Sequence, residues 1–324
     1  MGSFVSRNKQ FEPATDVPDL TGKVAIVTGG NSGMGFRAVQ QLARKGAKVY
    51  MAARNESRAT GAISQLEAEG LGPGNGKVEW LKLDLSDPKQ SNAAAEEILS
   101  KEKTLDILVN NAGIQSSPWQ MNPVGIQETM VVNHFSPYIF TKTLMPLLTS
   151  SAQAGHDVRI VNVTSMTVAL VPSDPHFRTK EDYNFKYEGQ LMDGLKRYGK
   201  SKLANMLWAN ELQRQFDAQS VPVICMSVDP GGVITEGSVA VTNNNIWLWI
   251  IFNGSRYFMH TAEQGGHSIT FPAASPVVRA NPELYKGALL KEMKVSAKPK
   301  MGQDKALGKE LTESTEELLK EMGL

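Results

Sequence analysis

Short apolar runs alternate with amphipathic segments along most of the chain. Six runs rich in Val, Ile and Leu have the length and continuity of buried strands. They cover residues 23–27, 48–53, 77–83, 105–109, 158–163 and 221–228, and apolar residues at helical spacing lie at 36–47, 56–70, from 87 onward, 127–148 and 198–216. Repeated strand–helix units imply right-handed crossovers and a parallel sheet with helices on both faces. We therefore predict an α/β protein with a doubly wound parallel sheet, whose ligands bind at the carboxyl ends of the strands.

A glycine-rich stretch joins the first predicted strand to the first predicted helix. Its residues are Thr28-Gly29-Gly30-Asn31-Ser32-Gly33-Met34-Gly35. Glycine lets the backbone approach a ligand closely, and a helix N-terminus presents free N–H groups and the positive end of the helix dipole. The stretch therefore predicts a dinucleotide phosphate site, with cofactor-binding residues Thr28, Gly29, Asn31, Ser32, Gly33, Met34 and Gly35. A glycine turn without a ligand is the alternative, which the position between a strand and a helix disfavours.

The second predicted strand ends at Ala53-Arg54 without an acidic residue. A carboxylate at this position would bind the ribose 2′-hydroxyl of NAD, whereas an arginine can pair with a 2′-phosphate. Arg54 therefore favours NADP(H) over NAD(H), with Arg58 as a second candidate for the same contact. A solvated surface arginine is the alternative interpretation.

Two further strand ends carry residues suited to adenosine. Asp84-Leu85 follows the third strand, where a carboxylate can accept a hydrogen bond from adenine. The small residues of Asn110-Asn111-Ala112-Gly113, after the fourth strand, let the backbone lie beside the adenosine ribose. Strands commonly end in such residues, so each signal is weak alone and the prediction rests on their joint placement. The predicted cofactor-binding residues here are Asp84, Leu85, Asn111, Ala112 and Gly113.

Residues suited to proton transfer lie further along the chain. Asn133 lies in the long predicted helix, Ser165 just past the fifth strand, and Tyr198 and Lys202 are four residues apart on one helix face. A tyrosine hydroxyl has a reference pKa of about 10, and a nearby ammonium lowers that pKa by favouring the phenolate. Tyr198 beside Lys202 is thus suited to protonate a carbonyl oxygen that Ser165 holds. A surface helix that carries the Tyr–Lys pair by chance is the alternative.

Taken together, these residues resemble those of the classical short-chain dehydrogenase/reductase family, in the branch of retinol-dehydrogenase-like enzymes and related fungal alcohol dehydrogenases. The resemblance covers residues 20–267 and includes Pro230-Gly231 with Thr235. It implies a Rossmann-type fold and hydride transfer between the nicotinamide of NADP(H) and a carbonyl or secondary alcohol. It also implies a catalytic group of Asn133, Ser165, Tyr198 and Lys202, with Tyr198, Lys202, Pro230, Gly231, Val233 and Thr235 contacting the cofactor.

The resemblance adds two roles and exposes three departures. It implies that Lys202 hydrogen-bonds the nicotinamide ribose and that Asn133 binds a water connecting Lys202 to solvent. Met34 replaces the usual isoleucine, Ser136 stands where a glycine is usual, and Asp229 stands where branch members often have histidine. None of the three departures removes a catalytic group.

Two regions are predicted to set the substrate. The insertion between Ser165 and Tyr198, residues 166–197, is longer than in the compact family form and carries Phe177, Tyr183, Phe185 and Tyr187. A second segment, residues 237–262, carries the cluster Ile246-Trp247-Leu248-Trp249-Ile250-Ile251-Phe252. We predict that both are flaps over the nicotinamide end, which suits a bulky apolar substrate. Core packing, an oligomer contact or a membrane-surface contact are alternatives for the tryptophan cluster.

The bulk composition narrows the class of protein. The 324 residues are 41% hydrophobic and 21% charged with a formal net charge of +1, which fits one large globular domain and disfavours a nucleic-acid binder. Cys225 is the single cysteine, so no internal disulfide can form. No run approaches the roughly 18 apolar residues of a membrane-spanning helix, and we expect a cytoplasmic protein. The scattered histidines predict no metal site.

The two ends of the chain are predicted to flank a central domain at 21–303. Residues 1–20 form an N-terminal arm, in which Gly2 matches a loose N-myristoylation pattern that often occurs by accident. Residues 304–324 form an amphipathic helix that we expect to pack on the sheet edge or on a partner subunit. The resemblance implies a homodimer or homotetramer.

The predicted function is that of an NADP(H)-dependent alcohol dehydrogenase or ketoreductase acting on a small-molecule carbonyl or alcohol. A role in fungal secondary metabolism follows from the resemblance alone. Two alternatives stay open: a regulatory dinucleotide-binding protein such as a redox sensor, and a non-redox isomerase or cyclase of the same fold. The complete set of catalytic residues disfavours the regulatory alternative.

Overall fold

The central sheet has the strand order of a doubly wound fold. The computed structural model describes residues 11–71, 75–115, 118–234 and 259–324. The strands in these ranges are β1 Val24–Thr28, β2 Lys48–Ala53, β3 Val78–Lys82, β4 Ile107–Asn110, β5 Val158–Val163, β6 Val223–Asp229, β7 Leu289–Lys291 and β8 Lys294–Ser296. They pair in the order β3-β2-β1-β4-β5-β6-β7-β8, and every pairing is parallel except that of β7 with β8. The strand order reverses between β1 and β4, where such a sheet opens a crevice for a ligand.

Helices connect the strands within the described residues. They are α1 Pro13–Asp16, α2 Gly33–Ala43, α3 Glu56–Ala68, α4 Pro88–Lys101, α5 Glu128–Met130, α6 Ser136–Gln153, α7 Lys180–Tyr183, α8 Asp193–Ala218, α9 Ala262–Ala274, α10 Pro276–Ala280, α11 Pro282–Tyr285 and α12 Lys305–Glu321. A π-helical segment, Val131–Phe135, joins α5 to α6, and 3₁₀ turns cover Met166–Leu170 and Lys300–Gln303. None of the helices in the described ranges is long and apolar enough to span a bilayer.

The sheet is buried on both faces. Apolar side chains of α4, α6, α8 and α12 form one core with the strands, and those of α2, α3 and α9 form the other. Every residue of β1, β5 and β6 is buried, as a parallel sheet between two helical layers requires. The predicted α/β class with a doubly wound sheet is therefore confirmed.

The six predicted strands are all present, and the differences lie at helix boundaries and in elements that the sequence pattern did not predict. α2 begins at Gly33, inside the glycine-rich stretch, and not at residue 36. α8 begins at Asp193, ahead of the expected start at Tyr198. The helix expected at 127–148 is interrupted by the π-helical segment and continues to Gln153. β7, β8 and α9 have no counterpart among the predicted elements, because the two strands are short and α9 lies beyond the last motif.

The C-terminal helix packs on another helix and not on the sheet edge. The buried face of α12 includes Leu307, Leu311, Leu318 and Leu319. This face lies against α8, so the sheet-edge expectation is corrected, and the contact with a partner subunit stays a prediction. Asp304 caps the helix, since its Oδ1 accepts the N–H groups of Ala306 and Leu307 at 2.9 and 3.0 Å.

The insertion at 166–197 is anchored in the protein interior. Phe177 and Tyr183 are fully buried and Tyr187 is 4% exposed, whereas Phe185 is 51% exposed. Three of the four aromatic residues therefore hold the insertion in place and do not project from it. The second predicted flap lies outside the described residues except for 259–262, so its tryptophan cluster stays a prediction.

The described part of the N-terminal arm packs on α9. The ring centroid of Phe11 lies 5.1 Å from that of Phe271, in an edge-to-face arrangement. Val17 and Leu20 are buried in the same core as α2 and α9. Gly2 lies outside the described residues.

Candidate active site

The glycine-rich stretch is tied to the end of β4 through Thr28. Its Oγ1 accepts the backbone N–H groups of Asn111 and Ala112, both at 3.0 Å. In return, Nδ2 of Asn111 donates to the carbonyl oxygen of Thr28 at 2.8 Å. These bonds join β1 to β4 across the reversal of strand order. The structure thus brings together three residues that the sequence assigned to the cofactor from two separate motifs.

The start of α2 has the features of an anion site. Ser32 occupies the N-cap position in extended conformation and makes no side-chain hydrogen bond to the helix, so the first-turn N–H groups are not capped by it. Gly29 and Gly33 have φ of 65° and 57°, which favours glycine. Met34, which replaces the isoleucine usual in the family, packs against α9. A Cβ on Gly265 would lie 2.5 Å from Met34 Cγ. The arrangement fits a bound pyrophosphate at the helix N-terminus.

The predicted adenosine contacts lie at the neighbouring strand ends. Arg54 follows β2 and is exposed. Asp84 is partly exposed and its Oδ1 accepts the N–H and Oγ of Ser86 at 3.0 and 2.8 Å. Leu85 is buried, and its carbonyl oxygen accepts a 2.7 Å hydrogen bond from Oγ of Ser136. The serine that departs from the family pattern therefore ties α6 to the loop after β3.

Asn133 is held at the centre of the π-helical segment. Its Oδ1 accepts the N–H of Ile114 at 2.8 Å, and its Nδ2 donates to the Ile114 carbonyl at 3.0 Å and to Ser201 Oγ at 2.9 Å. The side chain is fully buried. π-helical turns are rare and frequently occur at functional sites. Asn133 thus fixes the chain just after Gly113 against α8.

Lys202 is buried next to Asn133. Its Nζ donates to the carbonyl oxygen of Val163 at 2.9 Å. A Cβ on Gly113 would lie 3.1 Å from Asn133 Oδ1 and 3.3 Å from Lys202 Nζ, so the strand end packs directly on both polar groups. Burial lowers the pKa of Lys202 to about 8.

Tyr198 lies one helical turn before Lys202 on α8. Lys202 Nζ lies 5.5 Å from the centroid of the Tyr198 ring, and Ser165 hydrogen-bonds the Tyr198 side chain. Burial raises the pKa of Tyr198, the charge of Asp229 raises it further, and the Ser165 hydrogen bond lowers it. The net direction is opposite to the one expected from Lys202 alone. The reason is that burial removes the phenolate from water and the charge of Asp229 opposes its formation, and these two effects outweigh the hydrogen bond from Ser165.

The carboxyl end of β6 carries the last group of predicted cofactor contacts. Asp229 is 5% exposed, and its Oδ1 accepts the N–H of Gly231 at 3.0 Å. Burial raises the pKa of Asp229, and the Gly231 hydrogen bond opposes that shift. Pro230 is buried and Gly231 has a φ of 77°. Val233 pairs with His260 in an isolated parallel bridge.

Thr235, the remaining predicted nicotinamide contact, lies outside the described residues.

Two hydroxyl groups that hydrogen-bond to the predicted catalytic residues have no counterpart in the sequence prediction. Ser201 accepts from Asn133 and donates to the Tyr198 carbonyl at 2.7 Å. Thr164 Oγ1 donates to the Lys202 carbonyl at 2.9 Å. Both residues flank predicted ones, but only the folded chain shows that their hydroxyl groups point at the catalytic group.

Comparisons with known proteins identify the family to which the chain is similar. Residues 23–174 match the family model described as short chain dehydrogenase. A short-chain dehydrogenase/reductase of Armillaria gallica is 43% identical over 273 residues, which are 84% of this chain and 84% of that protein. Retinol dehydrogenase 11 of Homo sapiens is 34% identical over 254 residues, which are 78% of this chain and 73% of that protein. A putative NAD(P)-dependent gluconate 5-dehydrogenase of Beutenbergia cavernae, solved with bound NADP, superposes with a TM-score of 0.63 at 21% identity over 85% of this chain and 96% of that chain.

The fold and the site define an oxidoreductase with a dinucleotide-binding sheet. The chain belongs to the short-chain dehydrogenase/reductase family, in its retinol-dehydrogenase-like branch. This confirms the family resemblance and supports a nicotinamide cofactor.

Proposed function

We propose that the protein is an NADP(H)-dependent ketoreductase that reduces the carbonyl of a bulky, apolar small molecule. One observation carries the proposal: Lys202 Nζ lies 5.5 Å from the centroid of the Tyr198 ring, and both residues lie with Ser165 at the carboxyl ends of the strands, where the glycine-rich stretch also lies. Such an arrangement places a proton donor and a cation where a carbonyl oxygen gains negative charge.

The residues divide the work in a simple way. Thr28 to Gly35, with Asn111 to Gly113, hold the dinucleotide, and Gly231 and Val233 border its nicotinamide end. When bound, the nicotinamide supplies the hydride. Ser165 holds the substrate oxygen, Tyr198 donates its phenolic proton to that oxygen, and Lys202 stabilises the phenolate left behind. Asn133 keeps Gly113 and α8 in register, so that Lys202 stays beside Tyr198.

The preference for NADP(H) rests on Arg54. We expect Arg54→Ala to raise the KM for NADPH about tenfold and to change the KM for NADH less than twofold, since a charge-assisted hydrogen bond to phosphate contributes about 1.5–3 kcal/mol. The measurement is absorbance at 340 nm with each cofactor against a panel of bulky ketones and aldehydes. Arg44→Ala is the control, because Arg44 is also exposed but bonds the Gly70 carbonyl at 3.1 Å. Equal losses with both cofactors would show that Arg54 does not read a 2′-phosphate.

The pH dependence of reduction is expected to report Lys202. Its pKa of about 8 means that it is charged below pH 8 and neutral above, whereas the raised pKa of Tyr198 keeps the proton donor protonated throughout this range. We therefore expect kcat/KM for ketone reduction to fall above about pH 8. Lys200 has a pKa lowered by burial to about 8 as well, but it donates to the Asp182 carbonyl, so Lys200→Met should leave the falling limb in place. A profile that stays flat to pH 10 would contradict the role of Lys202.

The finer assignments form part of the proposal. A role in fungal secondary metabolism belongs to the proposal and rests on the family resemblance; the ketone panel tests the substrate class. We propose a central domain at 21–303 with a flap at 237–262 over the nicotinamide end, and a cytoplasmic homodimer or homotetramer. Light scattering after size exclusion decides the oligomeric state.

A further inference from the structure

The two catalytic regions that depart from regular structure meet on one helix. Asn133 lies in the π-helical segment, and the insertion at 166–197 separates Ser165 from Tyr198. π-helical turns are rare and long connections are uncommon in compact domains, so contacts with other parts of the protein are expected to fix both. The structure places α12, almost at the end of the chain, against each of them.

α12 contacts the π-helical segment through Thr315 and His134. His134 follows Asn133 directly and is fully buried, and its Nε2 lies 3.2 Å from Thr315 Oγ1. The His134 ring is also surrounded by Phe135, Tyr138 and Trp208, at centroid distances of 5.5, 5.9 and 6.3 Å. Burial lowers the pKa of His134 to about 4, with Asn205 opposing the shift, so the imidazole is neutral at neutral pH. His134 is thus a packed, neutral side chain that can hydrogen-bond to Thr315, and not a charged group.

α12 grips the insertion from the same face. The hydroxyl of Tyr183 lies 2.7 Å from Ser314 Oγ and 3.2 Å from Thr315 Oγ1. Ser314 Oγ also donates to the carbonyl of Phe177, and Glu310 Oε1 accepts the Phe177 N–H at 2.6 Å. Positions 310 and 314 lie one turn apart on the same face of α12, and Thr315 is adjacent to Ser314. Thr315 therefore touches both the π-helical segment and the insertion.

The insertion is in turn bonded to the start of the helix that carries Asn133. Gln127 Nε2 donates to the Tyr183 carbonyl at 2.9 Å, and the Gln127 N–H donates to Asn184 Oδ1 at 2.8 Å. α12, the insertion and the segment that runs from Gln127 to the π-helical turn therefore contact one another, and Thr315 lies where they meet. A shift of Asn133 would reach Lys202, because both pack on Gly113.

We propose that α12 is part of the catalytic apparatus and that Thr315 is a positioning residue, which acts through His134 and Tyr183 to hold Asn133 in place. This inference rests on the proposed reductase function. The isosteric change Thr315→Val removes the hydroxyl and keeps the volume, and Thr315→Ser keeps the hydroxyl. Thr312→Val is the matched control, because Thr312 Oγ1 donates only to the Gly308 carbonyl of its own helix.

The experiment measures kcat, KM and NADPH affinity of the full chain together with amide hydrogen exchange at residues 131–135. We expect Thr315→Val to lower kcat about tenfold, since a displacement of 1 Å in a catalytic group can cost about 100-fold. The dissociation constant for NADPH should stay within twofold, exchange at 131–135 should rise, and Thr315→Ser and Thr312→Val should behave like the wild type.

Three results would overturn the inference. In the first, Thr315→Val changes thermal stability while kcat stays at the wild-type value. In the second, it lowers kcat without any rise in amide exchange at 131–135. In the third, Thr312→Val lowers kcat and raises exchange as much as Thr315→Val does. If the wild-type protein reduces no carbonyl in the panel, the proposed function fails by itself. In that case, a rise in amide exchange at residues 131–135 that occurs only in Thr315→Val still supports the inference that α12 stabilises the π-helical segment. The same exchange in Thr315→Val and in the wild type refutes it.

Discussion

Replacing Tyr198 with Phe is expected to lower kcat for ketone reduction about 1,000-fold, within the range of general-acid catalysis. The change removes one hydroxyl and keeps the ring on α8. Ser165 and Lys202 remain, and neither can replace the phenol: a serine hydroxyl is a far weaker acid, and Lys202 Nζ is bonded to the Val163 carbonyl. NADPH affinity, measured by fluorescence titration, should change less than threefold, because the glycine-rich stretch that binds the phosphates is untouched.

Tyr187→Phe provides the matched control for this variant. Tyr187 lies in the insertion and is 4% exposed, and burial raises its pKa to about 12. It therefore shares the chemistry and the raised pKa of Tyr198 without its position, and we expect its loss to change kcat less than twofold. If Tyr198→Phe kept more than a tenth of the wild-type kcat, another group would be the proton donor. If it lost turnover but preserved function in the cell, the regulatory dinucleotide-binding alternative would be favoured.

Tyr198 and Lys202 illustrate what the sequence alone predicts well. Their spacing of four residues places both on one helix face, and the glycine-rich stretch follows a strand and begins a helix, so the local sequence suffices to place each of them. The six strands follow from short apolar runs for the same reason. These features need no knowledge of what the rest of the chain does.

The remaining features depend on contacts between distant parts of the chain. The spacing of apolar residues around Asn133 does not predict a π-helical turn. Asn133 is held by Ile114 and Ser201, which lie 19 and 68 residues away in the sequence. The neighbouring His134 contacts Thr315, which lies 181 residues away. The direction of the Tyr198 pKa likewise depends on burial and on Asp229 from β6, which a spacing of four residues cannot reveal. Residue identity pointed to the catalytic group, but tertiary packing decides how that group is held and charged.

A methyl group at Gly35 is expected to weaken NADPH binding about 100-fold, which corresponds to about 2.7 kcal/mol. A Cβ there would lie 2.3 Å from the Gly29 carbonyl oxygen and 2.6 Å from Asn111 Nδ2. Neither group can give way freely, because the Gly29 N–H donates to the Ala52 carbonyl at 2.8 Å and Asn111 is bonded to Thr28. Gly35→Ala must therefore displace the link between β1 and β4 that shapes the phosphate site, a cost typical of overpacking.

Gly61→Ala separates this effect from a general response to added methyl groups. Gly61 lies in α3 with no atom within 4 Å of its added Cβ, so the variant should bind NADPH normally and gain about 0.5–1 kcal/mol of helix stability. Circular dichroism checks that Gly35→Ala is folded, and a dissociation constant within threefold of the wild type would show that this stretch is not the phosphate site. Gly35→Ala should weaken NADPH and NADH equally, whereas Arg54→Ala should weaken NADPH alone. The ratio of the two losses thus distinguishes the group that binds the shared pyrophosphate from the group that selects the cofactor.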